Sequence, residues 1–222
     1  MAAVRGIVGA ANTPSGVTSV AAPSNAQMLY TDPADRSGLI CDVVVRRLQV
    51  NRDPRGILVE TLRADWPDCY DTAGRAFGQS YYSATEPWVA RDEDRWHVHQ
   101  RQTDRFIVPL GDAVVALYDP REGSPTRGRL NLVRLGGSNG DQGQYLVLIP
   151  PRVLHGFVVV SATPALLLNY PTHLWDAADE GRISFSDADA RLADGRPFAW
   201  DVIRDFERDA AASAPEIARA EG

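Results

Sequence analysis

The stretch WHVHQRQTDRFIVPLGDAVVALY, residues 96–118, decides the fold. Its apolar and β-branched residues predict one strand over 96–108 and a second over 113–118, around a turn at Leu110-Gly111-Asp112. Valine, isoleucine and aromatic side chains pack well on a pleated surface, and Gly-Asp punctuates it. Similar short runs recur outward from this stretch. They fall at 42–50, at 57–62 after a turn over 51–56, and at 77–84, 130–135, 144–149, 156–160 and 165–169. Many short strands separated by Gly and Pro, with no βαβ alternation, point to an all-β sandwich or barrel. Helix is expected only over 201–220, where Ala, Glu and Arg dominate.

The chain has 222 residues, the size of one domain with loose ends. Residues 1–37, rich at their start in Ala, Gly, Ser, Thr and Pro, are expected to form a flexible arm. A β domain is expected over 38–203, and a helical tail over 204–222. Net charge is −6, and all 23 basic residues are arginine. An acidic chain without a basic stripe is a poor nucleic-acid binder, because phosphate contacts supply most of that affinity. No apolar run is long enough to span a bilayer, and no basic start with an apolar core marks a secretory signal. Cys41 and Cys69 sit in no CxxC motif, so they are read as reduced thiols of a cytoplasmic protein. The lack of lysine excludes Schiff-base chemistry.

Four motifs share an order and spacing. They are Asp53-Pro54-Arg55-Gly56-Ile57-Leu58-Val59-Glu60; Phe77-Gly78-Gln79 with Ser83; Asp119-Pro120-Arg121 leading to Ser124-Pro125-Thr126-Arg127-Gly128; and Ile149-Pro150 followed by His155-Gly156-Phe157. Over about residues 42–201 the chain resembles the dTDP-4-dehydrorhamnose 3,5-epimerase family of the cupin superfamily. The resemblance implies a cupin jelly-roll β-barrel, a homodimer, a nucleotide-sugar substrate and no cofactor. It also implies departures. The family's catalytic histidine motif reads Arg95-Trp96-His97-Val98-His99-Gln100, so an ungapped match puts Val98 at the catalytic position and a shift by one brings a histidine there. Asp104 stands where the family has lysine. The catalytic tyrosine position falls near Leu168, with Tyr170 close by, and the family's closing aspartate segment is not recognisable over 197–201.

Three functional readings follow. In the first, His97 or His99 is the base that removes a proton beside a C4 ketone, and Tyr170 returns it, with His173 as a second candidate and Asp104 in the same catalytic group. The resemblance then assigns Arg55, Arg95 and Arg121 to the diphosphate, and Glu60, Gln79 and His155 to the rest of the substrate. The second is a metal site. His97-x-His99, Asp104 and the later His155 match the metal-cupin pattern, with Asp replacing its Glu, and the set suits Fe, Mn, Ni or Zn. The third is a cupin that binds sugar nucleotides without turnover.

Overall fold

A computed structural model describes residues 29–137 and 144–213. The strands are β1 (Val44–Arg47), β2 (Val50–Asp53), β3 (Gly56–Val59), β4 (Tyr81–Thr85), β5 (Arg95–His99), β6 (Asp104–Leu110), β7 (Asp112–Tyr118), β8 (Leu130–Gly136), β9 (Tyr145–Ile149), β10 (Leu154–Val159), β11 (Ala165–Asn169) and β12 (Glu180–Ser184). Two helices follow, α1 (Phe185–Ala188) and α2 (Trp200–Ser213). One five-stranded sheet has the order β1-β9-β6-β11-β4 and the other β12-β5-β10-β7-β8, while β2 and β3 form a separate hairpin. Every pairing is antiparallel. This is the expected all-β jelly roll. No helix among the described residues is long and apolar enough to cross a membrane.

Period-two alternation distributes the strand residues between layers. On β7, Ala113, Val115 and Leu117 enter the core between the sheets, with Val133, Val147 and Phe157. Val114 and Ala116 face the other way, into a layer with Trp96, Phe198, Trp200 and Ile203. Both faces of β7 are covered, which explains its unbroken apolar run. Gly111 turns the chain between β6 and β7 at φ +68°. A side chain there would approach the Ala165 backbone to 2.7 Å.

The structure corrects several expected boundaries. The strand expected over 96–108 is two strands in different sheets, broken at residues 100–103. Asp179 makes this corner: its carboxylate accepts from the backbone N–H groups of Arg101 and Gln102, at 2.8 and 3.2 Å. The strand expected over 42–50 ends at Arg47, and β2 starts at Val50, so Asn51 to Asp53 pair instead of turning. Strand β12 was not expected. It is polar and pairs only with β5, so nothing in Glu-Gly-Arg-Ile-Ser imposes an apolar period.

Residues 29–37 of the expected arm are docked. Tyr30 donates to Glu207 at 2.5 Å and meets Phe206 edge-on, and the Thr31 N–H bonds the Leu132 carbonyl. The rest of the expected arm lies outside the described residues. Helix α2 begins at Trp200, and its buried Trp200 and Ile203 join the outer core layer, so the tail is anchored as far as Glu207.

Candidate active site

Strand β5 carries two histidines and two apolar residues in strict alternation. Trp96 and Val98 face the outer layer, where both are buried. His97 and His99 therefore face inward together. Val98, the ungapped match to a catalytic histidine, packs in the outer layer, away from the two histidines. Register sets the neighbours. His97 is paired with Arg182 of β12 on one side and with His155 of β10 on the other. His99 is paired with Glu180. Three strands thus align Arg182, His97 and His155 as one rung of the inner face.

The rings are close. His97 Nε2 and His99 Nε2 are 2.9 Å apart, and the His97 and His155 centroids are separated by 5.0 Å. His99 Nδ1 lies 3.4 Å from Asp179 Oδ2 but out of hydrogen-bond alignment. His97 Nδ1 is 3.8 Å from Glu180 Oε1. Burial, then the neighbouring His155 and Arg182, pushes His97 down to about 2, so it is neutral. Burial also lowers His99, against the pull of Asp104.

Asp104 opens β6 on the facing sheet and is 2% exposed. Its Oδ1 accepts from Gln102 Nε2 and Asn169 Nδ2, both at 2.8 Å. Its Oδ2 lies 3.4 Å from His155 Nε2 and 3.7 Å from His99 Nε2. Burial disfavours its charge, but the partners His155, His99 and Asn169 outweigh that and hold the carboxyl below the usual range. His155 is fixed from behind by the Val153 carbonyl, 3.1 Å from Nδ1.

These groups surround a cavity of about 220 Å³ lined by His97, Asp104, His155, Tyr81, Arg91 and Arg182, with Phe106, Phe157 and Leu167 as apolar wall. Ligand pockets commonly run to about 300–1,000 Å³, so this one fits a reacting ring better than a whole nucleotide conjugate. The two arginines sit at its rim. Arg91 bonds Thr85 and the Ala84 carbonyl, and Arg182 pairs with Glu180 at 2.6 Å and Asp92 at 3.3 Å.

The other expected site residues lie elsewhere. Tyr170 is on the outer face of the first sheet, packed against Leu48, Ile107 and Leu148, with its hydroxyl 2.8 Å from Thr61. Alternation along β11 explains this, since Asn169 faces in and Tyr170 faces out. His173 is exposed and bonds Thr172. Arg55 is 89% exposed at the tip of the β2–β3 hairpin and pairs with Asp53. Glu60 pairs with Arg63, and Arg95 with Asp94. Arg121 braces a loop through Asp119, Asp42 and the Cys41 carbonyl. Gln79 precedes β4 and is tied by its backbone to Pro171. None of these lines the cavity.

The metal reading gains no support. The four proposed ligands do converge, but the N–H groups of Gln102 and Asn169 point at Asp104 and His99, where a cation would have to sit. Among the described residues no group of three or more His, Cys, Asp or Glu is disposed to hold a metal ion.

Sequence reasoning missed Tyr81, Arg91, Asp179, Glu180 and Arg182. Tyr81 had a signal: it lies two residues after Gln79 and two before Ser83 in the same motif, on the face that alternation assigns to Ser83. The others had none.

Residues 38–213 match the family model described as dTDP-4-dehydrorhamnose 3,5-epimerase. The chain is 45% identical over 149 residues to a protein of Haloferax volcanii named as the probable low-salt glycan biosynthesis epimerase Agl13, covering 66% of this chain and 88% of that one. It is 34% identical over 151 residues to the spore coat polysaccharide biosynthesis protein SpsL of Bacillus subtilis, covering 67% and 92%. Among solved structures, a dTDP sugar isomerase from Desulfovibrio desulfuricans superposes with a TM-score of 0.60 at 32% identity, covering 73% of this chain and 92% of that chain.

Proposed function

The chain belongs to the dTDP-4-dehydrorhamnose 3,5-epimerase family, and from that premise we propose that it inverts a carbon beside the ketone of a 4-keto-6-deoxysugar nucleotide, without a metal. The observation that carries this reading is His97, neutral and flanked by Arg182 and His155, on the wall of the interior cavity.

A carbon next to a ketone is a weak acid. A base that takes its proton leaves an enolate, which is reprotonated from the other face to give the inverted centre. His97 is the better of the two candidate bases, because it lines the cavity and His99 does not. Gln102 Nε2 donates to His99 Nε2, so the hydrogen between the two rings sits on His97 Nε2, and the basic nitrogen of this reading is His97 Nδ1. Arg91 and Arg182 at the rim are placed for the diphosphate, which guanidinium groups bind in bidentate fashion.

The homodimer and the single β domain over 38–203 are parts of the same proposal. The β2–β3 hairpin exposes Ile57 at 50% and Leu58 at 64%, and a second copy covering it would also bring Arg55 into play. A light-scattering mass of one chain would remove the dimer.

The test uses a dTDP-linked 4-keto-6-deoxyhexose in deuterated water. The wild type is expected to incorporate deuterium at C3 or C5 and to be indifferent to chelators, and His97→Ala to lose incorporation. Wild-type protein that exchanges no hydrogen at either carbon overturns the reading, and activity lost to a chelator returns the metal site.

A further inference from the structure

We propose that Tyr81 is the acid that returns the proton, on the opposite wall of the cavity from His97. The inference rests on the epimerase reading above and goes beyond it by naming a catalytic residue that the family motif does not supply.

Inversion needs two groups on two faces of the substrate. His97 stands on β5 of one sheet, and Tyr81 on β4, the edge strand of the other. Both line the cavity. At the position where the resemblance expects a tyrosine the chain has Leu168, and Tyr170 is turned to the outer face of the sheet. Tyr81 is therefore the only phenol that lines the cavity among the described residues.

Its hydrogen bonding suits the task. Asn169 is the direct register partner of Tyr81 across the β11–β4 pair. Its amide donates one hydrogen to the Tyr81 oxygen at 2.9 Å and the other to Asp104 at 2.8 Å. The Asn169 carbonyl oxygen is taken by the Arg105 N–H at 2.9 Å, so the amide is held at both ends. Tyr81 thus accepts from Asn169, and its own O–H is left to donate. The Tyr81 residue is 46% exposed, but desolvation of its hydroxyl, then the charge of Asp104, raises the phenol from its ordinary value, so it carries a proton at neutral pH.

The steps balance. His97 takes the proton from the carbon beside the ketone, and the bonding pair becomes the enolate. The enolate carbon then takes the Tyr81 proton from the other side. The phenolate that results is stabilised by the Asn169 N–H. Water returns a proton to Tyr81 and removes one from His97, with no net oxidation or reduction.

The experiment compares Tyr81→Phe with Tyr170→Phe on the same ketosugar nucleotide in deuterated water. It follows both deuterium content and configuration at the exchanging carbon. Tyr81→Phe is expected to lower formation of the inverted product by about 10²–10⁴-fold, while deuterium still enters with retention, because the base remains. Tyr170→Phe is expected to match the wild type in both readouts. Wild-type inversion by Tyr81→Phe overturns the proposal and leaves the epimerase reading standing. Loss of exchange as well as inversion in a Tyr81→Phe protein with an unchanged melting temperature overturns it too, since Tyr81 would then serve binding or abstraction. A wild type that exchanges no hydrogen overturns both readings together.

Discussion

His97 and His155 are register partners on neighbouring antiparallel strands, with ring centroids 5.0 Å apart. Two imidazoles at that separation, buried beside Arg182, cannot all be charged without strong repulsion. The pairing therefore sets how the protein responds to acid.

His97 is held well below the value of an unfolded histidine, about 6.5. Above that value it is neutral in both states, and its contribution to stability is fully present. As the pH falls below about 6.5 the unfolded chain binds the proton and the folded chain does not, so stability is lost toward the folded value. One such group costs up to about 1.4 kcal/mol per pH unit. Melting temperature is expected to fall between pH 7 and pH 5, and His97→Gln to flatten that fall. An equal slope in the variant would assign the acid sensitivity elsewhere.

Asp104 is buried with four polar neighbours. Its removal leaves the Gln102 and Asn169 donors and His155 without their acceptor. Asp104→Ala is expected to cost roughly 3–5 kcal/mol in chemical denaturation. Asp104→Asn keeps the shape and one acceptor oxygen and should cost less. Equal losses would mean that packing rather than hydrogen bonding holds the position.

Trp200 links the outer core to the cavity. It stacks edge-on with Phe198, and its Nε1 donates to the Asp92 carbonyl at 2.8 Å. Asp92 lines the cavity and pairs with Arg182. Trp200→Ala is expected to cost about 3–5 kcal/mol. Trp200→Phe keeps an aromatic ring but drops the hydrogen bond, so it should raise KM for the nucleotide sugar with a smaller loss of stability. Unchanged KM in that variant would cut the proposed link.

Arg182→Ala removes a rim cation, and roughly a 10-fold or greater rise in KM is expected, from a charge-assisted contact of about 1.5–3 kcal/mol. Arg55→Ala tests whether the hairpin reaches a site: a comparable rise at concentrations where the chain is dimeric, and none in a monomer, would place Arg55 in the partner's cavity. No change in either form leaves it a surface residue.

Part of the candidate site was legible. Alternation on one strand predicted that His97 and His99 share a face, and the motif around His155 placed that residue near them. Tyr170 was misassigned because it lies two residues from Leu168 and alternation gives both the outer face, while Asn169 between them faces in. Arg55, Glu60, Gln79, Arg95 and Arg121 were assigned by resemblance, and within one chain their carboxylate partners or backbone ties hold them away from the cavity.

The sequence by itself determined the all-β class, the inward pair of histidines and the turn at Gly111. These depend on period-two alternation and on a local backbone demand, both written over a few consecutive residues. Tertiary structure decided that Arg182, His97 and His155 form one rung, that Asp179 makes the corner after β5, and that Tyr81 and His97, from different sheets, line one cavity. Those relations join residues up to 85 positions apart, His97 and Arg182, and only the register of long-range pairing fixes which side chains meet.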